Sequence, residues 1–271
     1  MLVAVDTGGT KTLIARFDHN GSIEKSLKLP TPPIQKDYVK LLTETLQAQF
    51  SDAPVEALVI ALPGIIKDGV ALWCDNLGWK DFDAYSAFKD LYGNASVLIE
   101  NDANLAGLAE ARSISPIPTS ALYVTVSTGI GTGFITNGQI DPGIRQSEGG
   151  HILLEYAGKL QEWEDFASGR SIYRDFGKYA RDITSEKTWH EIADRISRGF
   201  LVIIPMTQPD IIIIGGSIGT YFSRYSSELR TLLKEQLPSH IKLPRFAQAL
   251  HPEQAVIYGC YYYAHDHLID R

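Results

Sequence analysis

The chain has 271 residues, 44% of them hydrophobic, with 32 acidic against 25 basic side chains and a net charge of −7. That balance, with no basic run longer than a pair, excludes the electrostatic footprint of a duplex nucleic-acid binder, and no stretch reaches the roughly 18 apolar residues of a membrane span. Cys74 and Cys260, the two cysteines, lie far apart without a Cys-x-x-Cys partner, so neither a disulfide framework nor a cysteine-rich zinc site is expected.

In chain order, residues 2–17 (LVAVDTGGTKTLIARF) read as a strand, a glycine-rich turn and a second strand, within a meander to about Leu29. A Pro-rich link at 30–33 precedes a helical pattern over 36–50. The apolar runs ALVIAL (57–62) and SVLIE (96–100) read as buried strands stopped by Pro63-Gly64 and Asn101-Asp102, with helices at 82–91 and 103–112. Residues 113–118 (SISPIP) break the last helix and are the expected interdomain link. The second half repeats the order. Residues 122–135 (LYVTVSTGIGTGFI) form a second strand, turn and strand, and a long loop starts at Asp141. Helices follow at 168–181, 188–207 and 217–237, a strand at 210–214 ends in Gly215-Gly216, and a last helix at 253–267 is expected to return to the first domain. Each meander carries an Asn-Gly pair, Asn20-Gly21 and Asn137-Gly138, a signal for a tight hairpin turn. Apolar strands between helices predict an α/β architecture with mixed sheets, present twice: residues 1–112 with 252–271 as one lobe, and 118–251 as the other.

Both glycine turns suit close approach of an anion to backbone N–H groups. In Asp6-Thr-Gly-Gly-Thr-Lys-Thr12, Gly8 and Gly9 permit an exposed turn, Thr10 and Lys11 offer donors, and Asp6 at the strand end is positioned to hold Mg2+ through water. The spacing is not a Walker A loop, and a strand follows instead of a helix. In Ser127-Thr-Gly-Ile-Gly-Thr-Gly133, Thr128, Gly129 and Gly131 leave little side chain for packing, which favours a closely approaching ligand over a plain strand edge. The Gly215-Gly216 step lets a flat ring lie against backbone, or is an ordinary strand-to-helix turn. Asp102, between a strand and a helix, is open to two roles: helix N-cap or general base.

The set DTGGTK, LPG, NDAN, STGIGTG, EGGH and IIIIGG, in this order and spacing, resembles the ROK family of sugar kinases within the actin, Hsp70 and hexokinase superfamily. The resemblance implies two duplicated actin-like ATPase (ribonuclease H-like) domains hinged around a cleft, holding ATP, Mg2+ and a hexose. Carried over by residue, it makes Asp102 the catalytic base and Asn101 a ligand of sugar hydroxyls. Glu148, His151 and Glu164 become further sugar ligands, and Gly64 contacts the sugar through its backbone. The nucleotide falls to the two glycine turns and the Gly215-Gly216 step. Where most of the family carries a three-cysteine zinc loop, this chain has the short GKLQEW (158–163) without cysteine. Zinc is therefore not expected, His151 must be oriented by hydrogen bonds or packing, and the short form is similar to polyphosphate-using glucokinases.

The expected activity is thus ATP-dependent phosphorylation of the 6-hydroxyl of glucose or a related hexose. Polyphosphate as donor, an N-acetylhexosamine as acceptor, and a catalytically inactive sugar-binding protein are the rivals. With the first strand read at Leu2, the DNA-binding domain of ROK-like repressors is not expected, and neither nucleic acid nor membrane is an expected partner. A soluble cytoplasmic protein is expected, since neither a membrane span nor a basic and apolar leader is read, and a homodimer is expected by similarity. Tyr261 to Tyr263 on the last helix read as core, and His265 and His267 as surface residues, because i and i+2 point to different helix faces.

Overall fold

The computed structural model describes residues 1–251 and 253–269. The chain forms two compact units: Met1–Ala109 with the segment from Gln254 onward, and Glu110–Glu253. Residues 252, 270 and 271 of the expected first lobe lie outside the described residues.

The first unit opens with the antiparallel meander β1 (Leu2–Thr7), β2 (Lys11–Phe17) and β3 (Ile23–Pro30), followed by α1 (Gln35–Gln49) and β4 (Ala57–Leu62). Three short strands come next, β5 (Ile65–Lys67), β6 (Val70–Cys74) and β7 (Trp79–Asp83), then α2 (Ala84–Phe88), β8 (Ser96–Asn101) and α3 (Asp102–Arg112). The main sheet has the order β3-β2-β1-β4-β8, with β4 parallel to both β1 and β8. All six residues of β4 are buried, as a strand covered on both faces requires. Helix α1 buries Tyr38, Leu42 and Leu46, one helical face, in the core containing Val5, Ile60 and Ile99.

In the second unit β9 (Ser120–Val126), β10 (Ile130–Thr136) and β11 (Gln139–Ile140) form the meander, and the hairpin β12 (Leu153–Tyr156) and β13 (Lys159–Glu162) leads into α4 (Trp163–Ala167) and α5 (Gly169–Phe176). Next come α6 (Glu186–Thr207), β14 (Ile211–Gly215), the single turn α7 (Gly216–Gly219), α8 (Ser226–Gln236) and β15 (Arg245–Gln248). The sheet order β11-β10-β9-β14-β15 repeats that of the first unit: three antiparallel strands, then two parallel ones. The architecture is α/β with mixed sheets, used twice. The last helix, α9 (Ala255–Ile269), packs on β1 and β4, where Tyr261 meets Phe17 at 5.1 Å between ring centroids.

Several elements differ from expectation. The helix read at 82–91 is shorter because Phe82 belongs to β7, and Asp83 caps α2 by accepting from the Ser86 N–H. The pattern at 168–181 breaks where Gly177 takes a left-handed conformation after α5, and the one at 217–237 divides into α7, a further turn and α8. Asn137 and Gly138 both have positive φ, as a tight hairpin demands. The Asn20-Gly21 loop is longer, with the Asp18 carboxylate accepting from the Asn20 and Ser22 N–H groups. Among the described residues no helix is long and apolar enough to cross a membrane.

Candidate active site

In the first unit, Gly8 donates its N–H to the Lys11 carbonyl at 3.0 Å, closing the β1–β2 turn and leaving Gly9, Thr10 and Lys11 exposed at its tip. Thr31 braces the turn from β3's end: its hydroxyl donates to the Gly8 carbonyl at 2.8 Å and its N–H to the Thr10 carbonyl at 3.0 Å. Asp6, one residue before the end of β1, is half-buried, and burial together with the charge of Asp102 pushes its carboxyl up to about 7. The charge of Asp102 raises the proton affinity of Asp6, and a divalent cation held by Asp6 would relieve that repulsion.

Asp102 opens α3, but it is not the helix cap. Asn101 is: its Oδ1 accepts from the Asn104 N–H at 2.9 Å, the N-cap pattern. Asn101 also donates its amide to the Gly64 carbonyl at 2.9 Å, which ties the end of β8 to the turn after β4. The buried Glu100 completes the corner by accepting from the Asn101 N–H and from the Asn104 amide. Asp102 accepts a local bond from the Ala103 N–H at 2.8 Å, and burial raises its carboxyl to about 6. A half-buried carboxylate relieved of capping, with its proton affinity moved toward neutrality, is suited to general base chemistry.

Gly64 has φ +87°, and a Cβ there would meet the Trp73 carbonyl oxygen at 1.9 Å. The turn therefore needs glycine both for its left-handed conformation and for the backbone packed over it. Gly64→Ala is expected to cost at least about 1–3 kcal/mol and to disturb Asn101 through its lost anchor. Thermal unfolding together with sugar titration checks this, and wild-type values in both would contradict it.

In the second unit the turn after β9 is closed by the Ser127 N–H donating to the Gly129 carbonyl at 2.9 Å, and Gly169 at the start of α5 donates to the Ser127 carbonyl at 2.6 Å. Beside it opens a cavity of about 750 Å³, lined by Ser127 and Thr128, by Arg170 and Tyr173 of α5, by Tyr179 and Arg181, and by Gly216, Ser217, Thr220 and Tyr221 around α7. The Tyr173 and Tyr179 rings stack at 4.5 Å, and the Arg181 guanidinium lies 5.1 Å from the Tyr179 ring. Aromatic faces, guanidinium groups and a hydroxyl-bearing turn suit a nucleobase and its phosphates.

Thr128 and Gly216 thus line this cavity, whereas Gly129, Gly131 and Gly215 are not among its lining residues. Two of those glycines serve packing. A Cβ on Gly129 would meet Glu164 Oε2 at 2.5 Å, and one on Gly215 would meet the Tyr123 hydroxyl at 2.3 Å. Gly129 thus admits a protein carboxylate, a partner invisible to a local reading of the strand edge.

Glu164 on α4 accepts from the Ile130 N–H at 3.0 Å, which pins it against the glycine turn. Glu148 precedes and His151 ends a single helical turn whose glycines are sterically required: a Cβ on Gly150 would meet the Ile130 carbonyl oxygen at 2.0 Å. His151 Nδ1 lies 2.6 Å from Glu162 Oε2. Burial lowers the proton affinity of His151, but the Glu162 hydrogen bond and the charges of Glu164, Glu162 and Glu148 outweigh it and raise the ring above its ordinary value. His151, Glu162 and Glu164 offer ligand atoms within 4.8 Å of one another, a spacing a cation could use.

The ROK family profile matches residues 2–267. The chain belongs to the ROK family. This ROK protein is 30% identical over 247 residues to the N-acetylmannosamine kinase of Escherichia coli O9:H4 (strain HS), an alignment spanning 80% of this chain and 83% of that one. Its fold superposes on a ROK family glucokinase from Streptomyces griseus, solved with glucose and AMPPNP, at a TM-score of 0.82 and 22% identity, covering 98% of this chain and 99% of the other. The inorganic polyphosphate/ATP-glucomannokinase of Arthrobacter sp. strain KM matches at a TM-score of 0.75 and 26% identity, with 98% of each chain covered.

Within this ROK protein, sequence reasoning missed Glu162, Tyr173, Tyr179 and both arginines of the cavity. For Arg170 a signal existed, since it directly follows the Ser168-Gly169 step after Glu164. The others are brought to their places by the β12–β13 hairpin and by the break at Gly177, neither of which was expected.

Proposed function

We propose that this ROK protein is a sugar kinase that transfers the γ-phosphoryl group of ATP to the 6-hydroxyl of glucose or a related hexose, with Asp102 as general base. The observation that carries this reading is Asp102 itself, relieved of helix capping by Asn101 and raised to about 6 by burial. The sugar 6-oxygen attacks the γ-phosphorus as its proton passes to the Asp102 carboxylate, and the bond from that phosphorus to the departing ADP oxygen breaks. The protein's contribution is orientation and charge placement, as phosphoryl transfer requires. Asn101, with one amide hydrogen still available after its bond to Gly64, and the Gly64 backbone meet the sugar on the side of Asp102. Glu148, His151 and Glu164 are read as further ligands of sugar hydroxyls.

The cavity beside Thr128 and Gly216 takes the nucleotide, with the base against Tyr173 and Tyr179. Gly8, Gly9, Thr10 and Lys11 are read as phosphate ligands. Mg2+, held by Asp6 through water, would neutralise phosphate charge when bound. The aromatic wall favours ATP over polyphosphate, which has no base to stack.

A second reading concerns the acceptor. Similarity at 30% identity to an N-acetylmannosamine kinase favours an N-acetylhexosamine. A coupled ADP or phosphate-transfer assay with glucose, mannose, N-acetylglucosamine and N-acetylmannosamine, each against ATP and polyphosphate, tests both readings. ATP-dependent turnover of a hexose supports the first, and turnover confined to an N-acetylhexosamine supports the second. Sugar binding without transfer from either donor would refute the kinase assignment.

A further inference from the structure

We infer that Glu162 is a positioning residue that orients the His151 ring and fixes its tautomer for sugar binding. The inference rests on the reading of His151 as a sugar ligand and deepens it. Glu162 ends β13 and immediately precedes α4, while His151 lies just before β12. Pairing of Leu153 with Glu162 in the hairpin register brings the two together. The resulting Nδ1 to Oε2 contact is 2.6 Å, within the range of a charge-assisted hydrogen bond.

Glu162 is itself held. It forms a reciprocal capping box with Asp165 at the start of α4, in which its own N–H donates to the Asp165 carboxylate at 3.2 Å. The next residue, Trp163, is fully buried and donates its N–H to the Ile152 carbonyl at 2.9 Å, adjacent to His151. A carboxylate fixed by a helix start and a buried ring accepts the Nδ1 proton of His151 and leaves Nε2 for a ligand, the arrangement in which a carboxylate orients an imidazole. Glu164, pinned by Ile130, stands two residues on as the next sugar ligand, so the β13–α4 junction sets the spacing of both groups.

The test measures ring state and sugar affinity in the full chain, independently of turnover. Nitrogen-detected imidazole NMR of wild type is expected to show a persistent Nδ1–H on His151. Glu162→Leu should shift the ring toward the Nε2–H form and weaken binding of glucose and N-acetylmannosamine on the order of tenfold. Glu162→Gln, which keeps an acceptor at the same reach, should restore affinity to within about threefold. Glu162→Leu combined with His151→Gln should weaken binding little beyond His151→Gln alone, since coupled residues are not additive.

An unchanged His151 spectrum in Glu162→Leu would overturn the inference, as would unchanged sugar affinity in a wild type that binds either sugar. So would stoichiometric zinc in purified protein whose removal alone abolishes that affinity. A capping role alone would lower the melting temperature without altering the ring. If wild type binds neither sugar, the proposed function falls, while the ring spectrum still decides whether Glu162 holds His151.

Discussion

Replacing Asp102 with Asn is expected to reduce turnover by roughly three to four orders of magnitude, at the upper end of what general-base removal costs, while sugar affinity stays within a few-fold of wild type. Asn cannot accept the proton of the attacking hydroxyl, yet it preserves the size and the local bond from the Ala103 N–H. The same substitution should stabilise the fold at alkaline pH. The carboxyls of Asp102 and Asp6 lie at about 6 and about 7, above their ordinary values, so the folded state binds protons that the unfolded chain has released between about pH 4 and 7. Stability from this pair is therefore full below the unfolded pKa and is lost as pH rises through 6 to 7. Asp102→Asn removes the Asp102 share of that loss and should gain about 1–3 kcal/mol at pH 8, with no gain near pH 4. Wild-type kcat/KM should fall on the acid side with an apparent pKa between about 6 and about 7, a property of the coupled pair. Urea denaturation at both pH values and a pH–rate profile check this. Near-normal turnover in the variant would remove Asp102 from the mechanism.

Replacing Trp163 with Ala is expected to cost about 3–5 kcal/mol, as for other large core aromatics. Its ring is fully buried, packs edge-on against Phe200 at 5.4 Å between centroids, and donates Nε1–H to the Arg195 carbonyl at 3.2 Å. The effect should extend to function because Trp163 stands between Glu162 and Glu164. The complementary change acts from the opposite side. Gly199 on α6 lies so close to the Trp163 ring that a Cβ would come within 2.2 Å of it. Gly199→Ala should therefore cost about 1–3 kcal/mol by overpacking, despite alanine's better helix propensity, and should weaken sugar binding by moving both carboxylates. Denaturant midpoints and sugar titration give the answer. A Gly199→Ala protein as stable as wild type would show that α6 and α4 yield freely, and the link from core to site would fail.

The duplicated meanders, the buried strands and most helices were legible in the chain, because alternation, glycine turns and 3.6-residue periodicity are local signals. The β5–β7 sheet was not: Phe82 and Phe88 fit a helical pattern, and the Asp83 cap separates strand from helix within that stretch. In the candidate site, Asp102 and His151 were singled out through motif order, but the role of each neighbour was not. The Asp102 carboxylate and the Asn101 amide sit side by side at the end of β8, and sequence alone leaves either free to cap α3. The bond from Asn101 to Gly64 decides it, because it holds the amide where Asn104 can donate to it.

By itself the sequence determined the family and the repeated order of strands, and it singled out candidate residues for the chemistry, since all three are written in contiguous strings. Tertiary structure alone decided that Glu162 meets His151, that Gly129 makes room for Glu164, and that Tyr173 and Tyr179 wall a cavity. Those contacts join residues from separate elements, and their distances are set by hairpin register and core packing, which no single segment specifies.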